Sequence, residues 1–166
     1  MMKKSFAPLA AALLLAACAS PLLATSIAPG TPREQVIAQM RQPTGVVPLP
    51  GGGQRLQYSQ QPAGQYAWMV DLDPSGRVVS TRQVLNERDF NRIVPGQWTG
   101  ADVLREFGPP ARVEHVASWN GPILTYRWRD LQNADMFYFV YLDPQGVVQR
   151  AHPGMEVRDR FFNFGI

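Results

Sequence analysis

Two stretches of this chain carry the same landmarks in the same order, and an internal repeat constrains a fold more than any composition does. The first stretch runs Pro29-Gly30-Thr31, Val36-Ile37, Met40, Pro43, Leu56-Gln57-Tyr58 and Leu72-Asp73-Pro74-Ser75-Gly76. The second runs Pro95-Gly96, Thr99, Val103-Leu104, Phe107, Pro110, Leu124-Thr125-Tyr126 and Leu142-Asp143-Pro144-Gln145-Gly146. Val103 stands 67 residues after Val36, Tyr126 stands 68 after Tyr58, and Asp143 stands 70 after Asp73. That drift is what small loop insertions produce. A unit of about 60 residues buries too little surface to be comfortably stable alone, so two copies packed on each other or sharing a sheet are physically sensible.

The local chemistry assigns elements within each copy. Thr31 can cap a helix whose first turn holds Pro32, and Glu34 would complete a Thr-x-x-Glu capping box. Val36, Ile37 and Met40 then share one face, a spacing that Val103, Leu104 and Phe107 repeat behind Thr99. Gly108 fits a left-handed helix end, which Pro109 and Pro110 enforce. A further short helix is expected from Asn86 to Ile93, with Phe90 and Ile93 turned inward. Strands are expected over 54–59, 65–73 and 77–85, then over 123–128, 136–143 and 147–152. The last two in each copy should form a hairpin, because Asp-Pro-x-Gly is the chemistry of a type I turn followed by a left-handed glycine bulge. The expected fold is α+β: two tandem helix-plus-antiparallel-sheet repeats, helices packed on one face of the sheet.

The N-terminus is of a different kind. Lys3 and Lys4 precede an uncharged run from Phe6 to Ala17, too short to span a bilayer but shaped like a secretory signal peptide. Its end, Leu15-Ala16-Ala17-Cys18, resembles the lipobox of bacterial lipoproteins, and the one cysteine of the chain falls where that motif requires it. Cys18 is therefore the expected lipidation site. Ala19 follows in place of the aspartate that commonly retains such proteins in the inner membrane, so the periplasmic face of the outer membrane is the expected location. The expected organisation is a signal peptide over 1–17, a lipidated tether over 18–28, a first repeat over 29–85, a second over 86–152 and a tail over 153–166.

Charge and titratable residues exclude several classes of function. The 16 basic residues include Lys3 and Lys4, so the mature chain keeps 14 arginines against 13 acidic residues, and the high isoelectric point makes no case for nucleic acid. Without a second thiol it offers neither disulfides nor cysteine metal sites. His115 and His152 are its two histidines; Ser118 lies near His115 but in no nucleophile motif, so no catalytic residues are assigned. Asp71, Asp73 and Asp143 lack the spacing of a calcium loop, and Gly51-Gly52-Gly53 has no following Lys-Ser or Lys-Thr that would make it a phosphate loop. Neither a metal nor a cofactor is expected.

The segment from Asn86 to Val148, with its short helix, Val94-Pro95-Gly96 link, Thr99 before the Val103 helix, Phe107-Gly108-Pro109-Pro110 end, Tyr126 strand and Asp-Pro-x-Gly hairpin, resembles the SmpA/OmlA (BamE-like) family of outer-membrane lipoproteins. That resemblance implies a non-catalytic scaffold in outer-membrane β-barrel assembly or envelope integrity, with the assembly machinery as protein partner. Family members usually carry one such domain, and in the first copy Arg41 replaces the helix-ending glycine. A tandem pair is also similar to the β-lactamase inhibitor protein fold, which implies the alternative of a module binding a periplasmic enzyme. Met136 to Leu142 is apolar on both faces, and one of its rows must meet the first repeat or a partner. The interaction surface is expected there and in the loop containing Trp128 to Ala134, at Trp128, Arg127, Arg129, Phe137 and Tyr138, because aromatic residues with neighbouring arginines anchor interfaces.

Overall fold

A computed structural model describes residues 27–156. The signal segment, Cys18, most of the tether and most of the tail lie outside the described residues. The fold is α+β. Helix α1 (Arg33–Met40) precedes strands β1 (Gly45–Pro48), β2 (Gln54–Ser59), β3 (Ala67–Leu72) and β4 (Val78–Gln83). Helices α2 (Glu87–Phe90) and α3 (Gly100–Phe107) precede β5 (Arg112–Glu114), β6 (Ile123–Arg129), β7 (Asp135–Leu142) and β8 (Val148–Met155). Each set of four strands forms its own antiparallel sheet in sequence order, so the sheet is not shared. Among the described residues no helix is long and apolar enough to cross a membrane.

The two hairpins form at the expected turns. Asp73 Oδ1 accepts from the amides of Ser75 and Arg77, and Asp143 Oδ1 accepts from those of Gln145 and Val147. Gly76 and Gly146 sit at φ 78° and 82°, where a side chain would be strained. Each hairpin carries a register shift at the same place, Asp71/Leu72 and Tyr141/Leu142.

Three expectations about the helices need correction. Thr31 does not cap α1; its hydroxyl donates to Ala28 O at 2.7 Å, and Pro32, extended at ψ 147°, takes the N-cap position instead. The capping box belongs to α3, where Thr99 and Asp102 bond reciprocally. The Asn86–Ile93 helix shortens to α2, with Asn86 as its N-cap, although Phe90 and Ile93 are buried as expected. Leu104 does not share the buried face of Val103 and Phe107: one residue of helix turns it about 100° away, and it stays 41% exposed.

Packing builds four layers. Val36 of α1 joins Leu56, Tyr58, Val70, Leu72 and Val78 on one face of the first sheet. Phe90, Val103 and Phe107 cover Leu124, Tyr126, Tyr138, Val140 and Leu142 of the second sheet, and Phe90 lies 4.0 Å from Tyr138 in a parallel stack. The same cluster takes in Ala67 and Met69 from the other face of the first sheet. The helices between the sheets therefore serve both. Where α3 ends, the orphan Arg105 carbonyl needs donors, and the first sheet supplies two, Gln57 Nε2 at 3.1 Å and Arg55 Nη1 at 3.2 Å; Gln57 Nε2 also reaches Leu104 O at 2.8 Å.

Candidate functional site: the outer face of the second sheet

Side chains alternate along a strand, so the inward set Tyr138, Val140 and Leu142 forces Phe137, Phe139 and Tyr141 to the opposite face. That face has no helix over it among the described residues. The pairing register fixes the neighbours. Phe139 lies between Thr125 and His152, with Arg112 beyond Thr125; Tyr141 lies between Ile123 and Arg150, with Glu114 beyond Ile123. Phe137 lies between Arg127 and Gly154. A side chain at Gly154 would press on the Phe139 ring, so the glycine makes room for that ring to lie along the sheet.

Arginines rest on the aromatic rings. The Arg112 guanidinium is 4.6 Å from the centre of Phe137, and that of Arg150 is 3.9 Å from the centre of Tyr141 and 5.7 Å from Trp119. Trp119 meets Tyr141 edge-on at 5.2 Å and is fixed by its indole N–H, which donates to Leu142 O at 2.8 Å. His152 stacks on Tyr141 at 5.4 Å. Arg112 Nε holds Glu114 at 2.9 Å, and the same carboxylate oxygen accepts from buried Thr125. No carboxylate among the described residues pairs with Arg150.

The other end of the face is closed by the first half of the chain. Arg127 holds Glu156 at 2.8 Å and donates from Nη1 to the carbonyls of Pro62 and Ala63. The Gln61 side-chain amide accepts from the Arg127 amide and donates to its carbonyl, standing in for the strand partner that short β5 does not provide. The backbone edge is thereby satisfied where β5 stops.

The structure divides the five residues expected to bind a partner. Trp128 and Tyr138, 5% and 6% exposed, point inward and pack around Phe90, which makes them core residues. Arg129 pairs with Asp135 at 3.1 Å at the hairpin end. Phe137 and Arg127 do lie on the outer face, with Phe139 and Tyr141 of the expected strand, which were not singled out, and with Arg112, Arg150 and Trp119, which sequence reasoning did not place there. Parity would have found the strand residues: aligned at the Asp-Pro turn, 138, 140 and 142 correspond to 68, 70 and 72, leaving the odd positions outside. The expected loop presents Leu131, 90% exposed, beside a groove of about 550 Å³ bordered by Asn86, Arg88, Asn91, Trp128 and Arg129.

Aromatic surface edged by guanidinium groups suits binding more than bond-making. Among the described residues no group of three or more His, Asp or Glu side chains converges to hold a metal. The perturbed hydroxyls are structural: burial pushes Tyr126 far above the usual tyrosine range and raises Tyr138 as well. No protein-family model matches this sequence, and no curated protein matches it significantly.

Proposed function

We propose that this chain is a lipid-anchored, non-catalytic scaffold of the bacterial outer membrane, built from two tandem helix-plus-sheet units of the SmpA/OmlA (BamE-like) type and binding a protein through the outer face of its second sheet. The duplication is supported by devices that recur at equivalent positions. Tyr58 donates to the carbonyl of Arg41 at 3.2 Å, and Tyr126 donates to that of Gly108 at 2.9 Å. Those two helix-ending residues share one conformation, φ 68° and ψ −167° against φ 76° and ψ −168°. Bridges Pro32 to Arg77 and Thr99 to Val147 tie each helix start to its own hairpin.

The single observation that carries the binding role comes from comparing equivalent faces. In the first unit the face bearing Ala67, Met69 and Asp71 is covered by α3 of the second unit. In the second unit the corresponding residues are Phe137, Phe139 and Tyr141, and no helix among the described residues covers them. Three half-buried aromatic side chains in one row on an open sheet are the composition of an interface core.

Affinity capture from detergent-solubilised membranes tests this reading. Recovery of β-barrel assembly components supports the scaffold in assembly. Recovery of one soluble periplasmic hydrolase instead would favour the inhibitor-like alternative, and recovery of nothing by a folded, lipidated chain would count against a binding role.

A further inference from the structure

We infer that the outer face of the second sheet takes an acidic partner segment, one in which carboxylates alternate with apolar side chains; this rests on the binding role proposed above and names the chemistry of the partner. The first sheet supplies the pattern. The segment that docks on its equivalent face, α3, brings the carboxylate of Glu106 to Arg55 at 3.1 Å while apolar contact is made at Met69. The second face offers more apolar area and more unpaired guanidinium. Phe137, Phe139 and Tyr141 replace Ala67, Met69 and Asp71, and Arg112 and Arg150 lie against the rings.

A guanidinium lying on an aromatic ring keeps its N–H groups in the plane of the fork, aimed sideways for a carboxylate to meet with two bonds. Arg150 has no carboxylate among the described residues, and Arg112 uses its Nε on Glu114, so its terminal nitrogens remain for a second acid. Four arginines, Arg112, Arg127, Arg129 and Arg150, share this face with three carboxylates, Glu114, Asp135 and Glu156, and His152 adds a further basic group. The surplus is positive. The donors that hold the α3 end on the first sheet, Arg55 and Gln57, are replaced by Ile123 and by Thr125, whose hydroxyl is engaged by Glu114. The second face is thus not equipped to cap a helix end, and it reads its ligand through side chains.

The test uses the purified full chain as bait for a displayed library of random twelve-residue peptides, followed by affinity measurement on the selected peptides. Acidic peptides with interspersed apolar residues are expected. Their binding should weaken at least about tenfold, about 1.4 kcal/mol, in Arg112→Gln/Arg150→Gln and in Phe139→Ala, with the chain still folding cooperatively and losing far less thermal stability than Tyr138→Ala. On the unaltered chain, affinity should fall as salt rises. Neutral or basic peptides that depend on Phe139 but not on the arginines would overturn the acidic class and leave the binding role standing. Peptides indifferent to all three residues would overturn both. Binding that appears only after residues 157–166 are removed would assign the face to this chain's own end, and arginine-dependent binding to anionic vesicles but to no peptide would assign it to lipid; either result overturns the inference.

Discussion

Arg55→Met should be among the most damaging single substitutions in the first sheet. The Arg55 side chain is 5% exposed, and it joins Asp71 through Nε at 2.6 Å and Nη2 at 2.9 Å, Glu106 at 3.1 Å and the carbonyl of Arg105 at 3.2 Å. Burial works against its charge, but the hydrogen bonds and charges of Asp71 and Glu106 outweigh that and hold it protonated more firmly than a free arginine. Methionine keeps most of the volume and removes every one of these bonds. Among the described residues it leaves Asp71, 17% exposed, with only the Ser80 hydroxyl at 3.4 Å, and leaves Glu106, 13% exposed, to the longer contacts of Arg92 and Arg105, while the Arg105 carbonyl keeps Gln57 alone. Removing one member of a buried ion cluster costs about 3–5 kcal/mol, whereas replacing the whole cluster by apolar groups can be near neutral. For a folded unit of this size that loss lowers the melting temperature by roughly 10–20 °C. Chemical denaturation followed by circular dichroism measures it. Arg55→Met/Asp71→Leu/Glu106→Gln should recover most of the deficit. A loss below about 1 kcal/mol in the single variant would refute the view that this cluster fastens the two halves together.

Tyr138→Ala should cost about 3–5 kcal/mol, as truncation of a core aromatic does, while Phe139→Ala on the opposite face should cost well under half of that; the same denaturation assay compares them. Asp102 is held below the usual carboxylate range by hydrogen bonds from the Thr99 amide and hydroxyl and by Arg105. A depressed folded-state value contributes stability above the unfolded carboxyl value of about 3.9 and loses it as pH falls through the folded value. Asp102→Asn should therefore be less stable by about 1 kcal/mol at neutral pH and converge with the parent in acid, which unfolding curves at several pH values would show. Cys18→Ser should leave a folded protein that no longer sediments with membranes; retention after a high-salt wash would mean that lipid is not the principal anchor.

The hairpins were legible because Asp-Pro-x-Gly demands one backbone path, and α3 because Thr99 precedes the Val103 and Phe107 spacing and Gly108-Pro109-Pro110 ends it. The short edge strands β1 and β5 were not, since Gly45-Val-Val-Pro48 and Arg112-Val-Glu114 are too short to display alternation and take their shape from the neighbouring strand. Two close backbone approaches were equally silent in the sequence. A side chain at Gly53 would collide with the carbonyl of Leu72, and one at Gly121 with that of Leu142, so two glycines buried in unremarkable loops mark equivalent close approaches. The residues expected to bind a partner fall on both faces of their strands, Trp128 and Tyr138 in the core and Phe137 and Arg127 outside. Arginines beside Trp128 in sequence looked like an anchor, yet alternation sends Arg127 and Trp128 to opposite sides. Arg112 and Arg150 come from the edge strands and meet the β7 aromatics only through pairing, which no local window contains.

The most direct test places the photo-cross-linking residue p-benzoylphenylalanine in living cells at position 139, on the outer face, and at position 79, on exposed β4 of the first sheet, where Val79 is 59% exposed. Position 139 should give a discrete adduct with one envelope protein in the membrane fraction, and position 79 should not. Equal adducts from both positions, or none from position 139 in a folded and membrane-bound chain, would contradict the assignment of the Phe137, Phe139 and Tyr141 row as the binding surface.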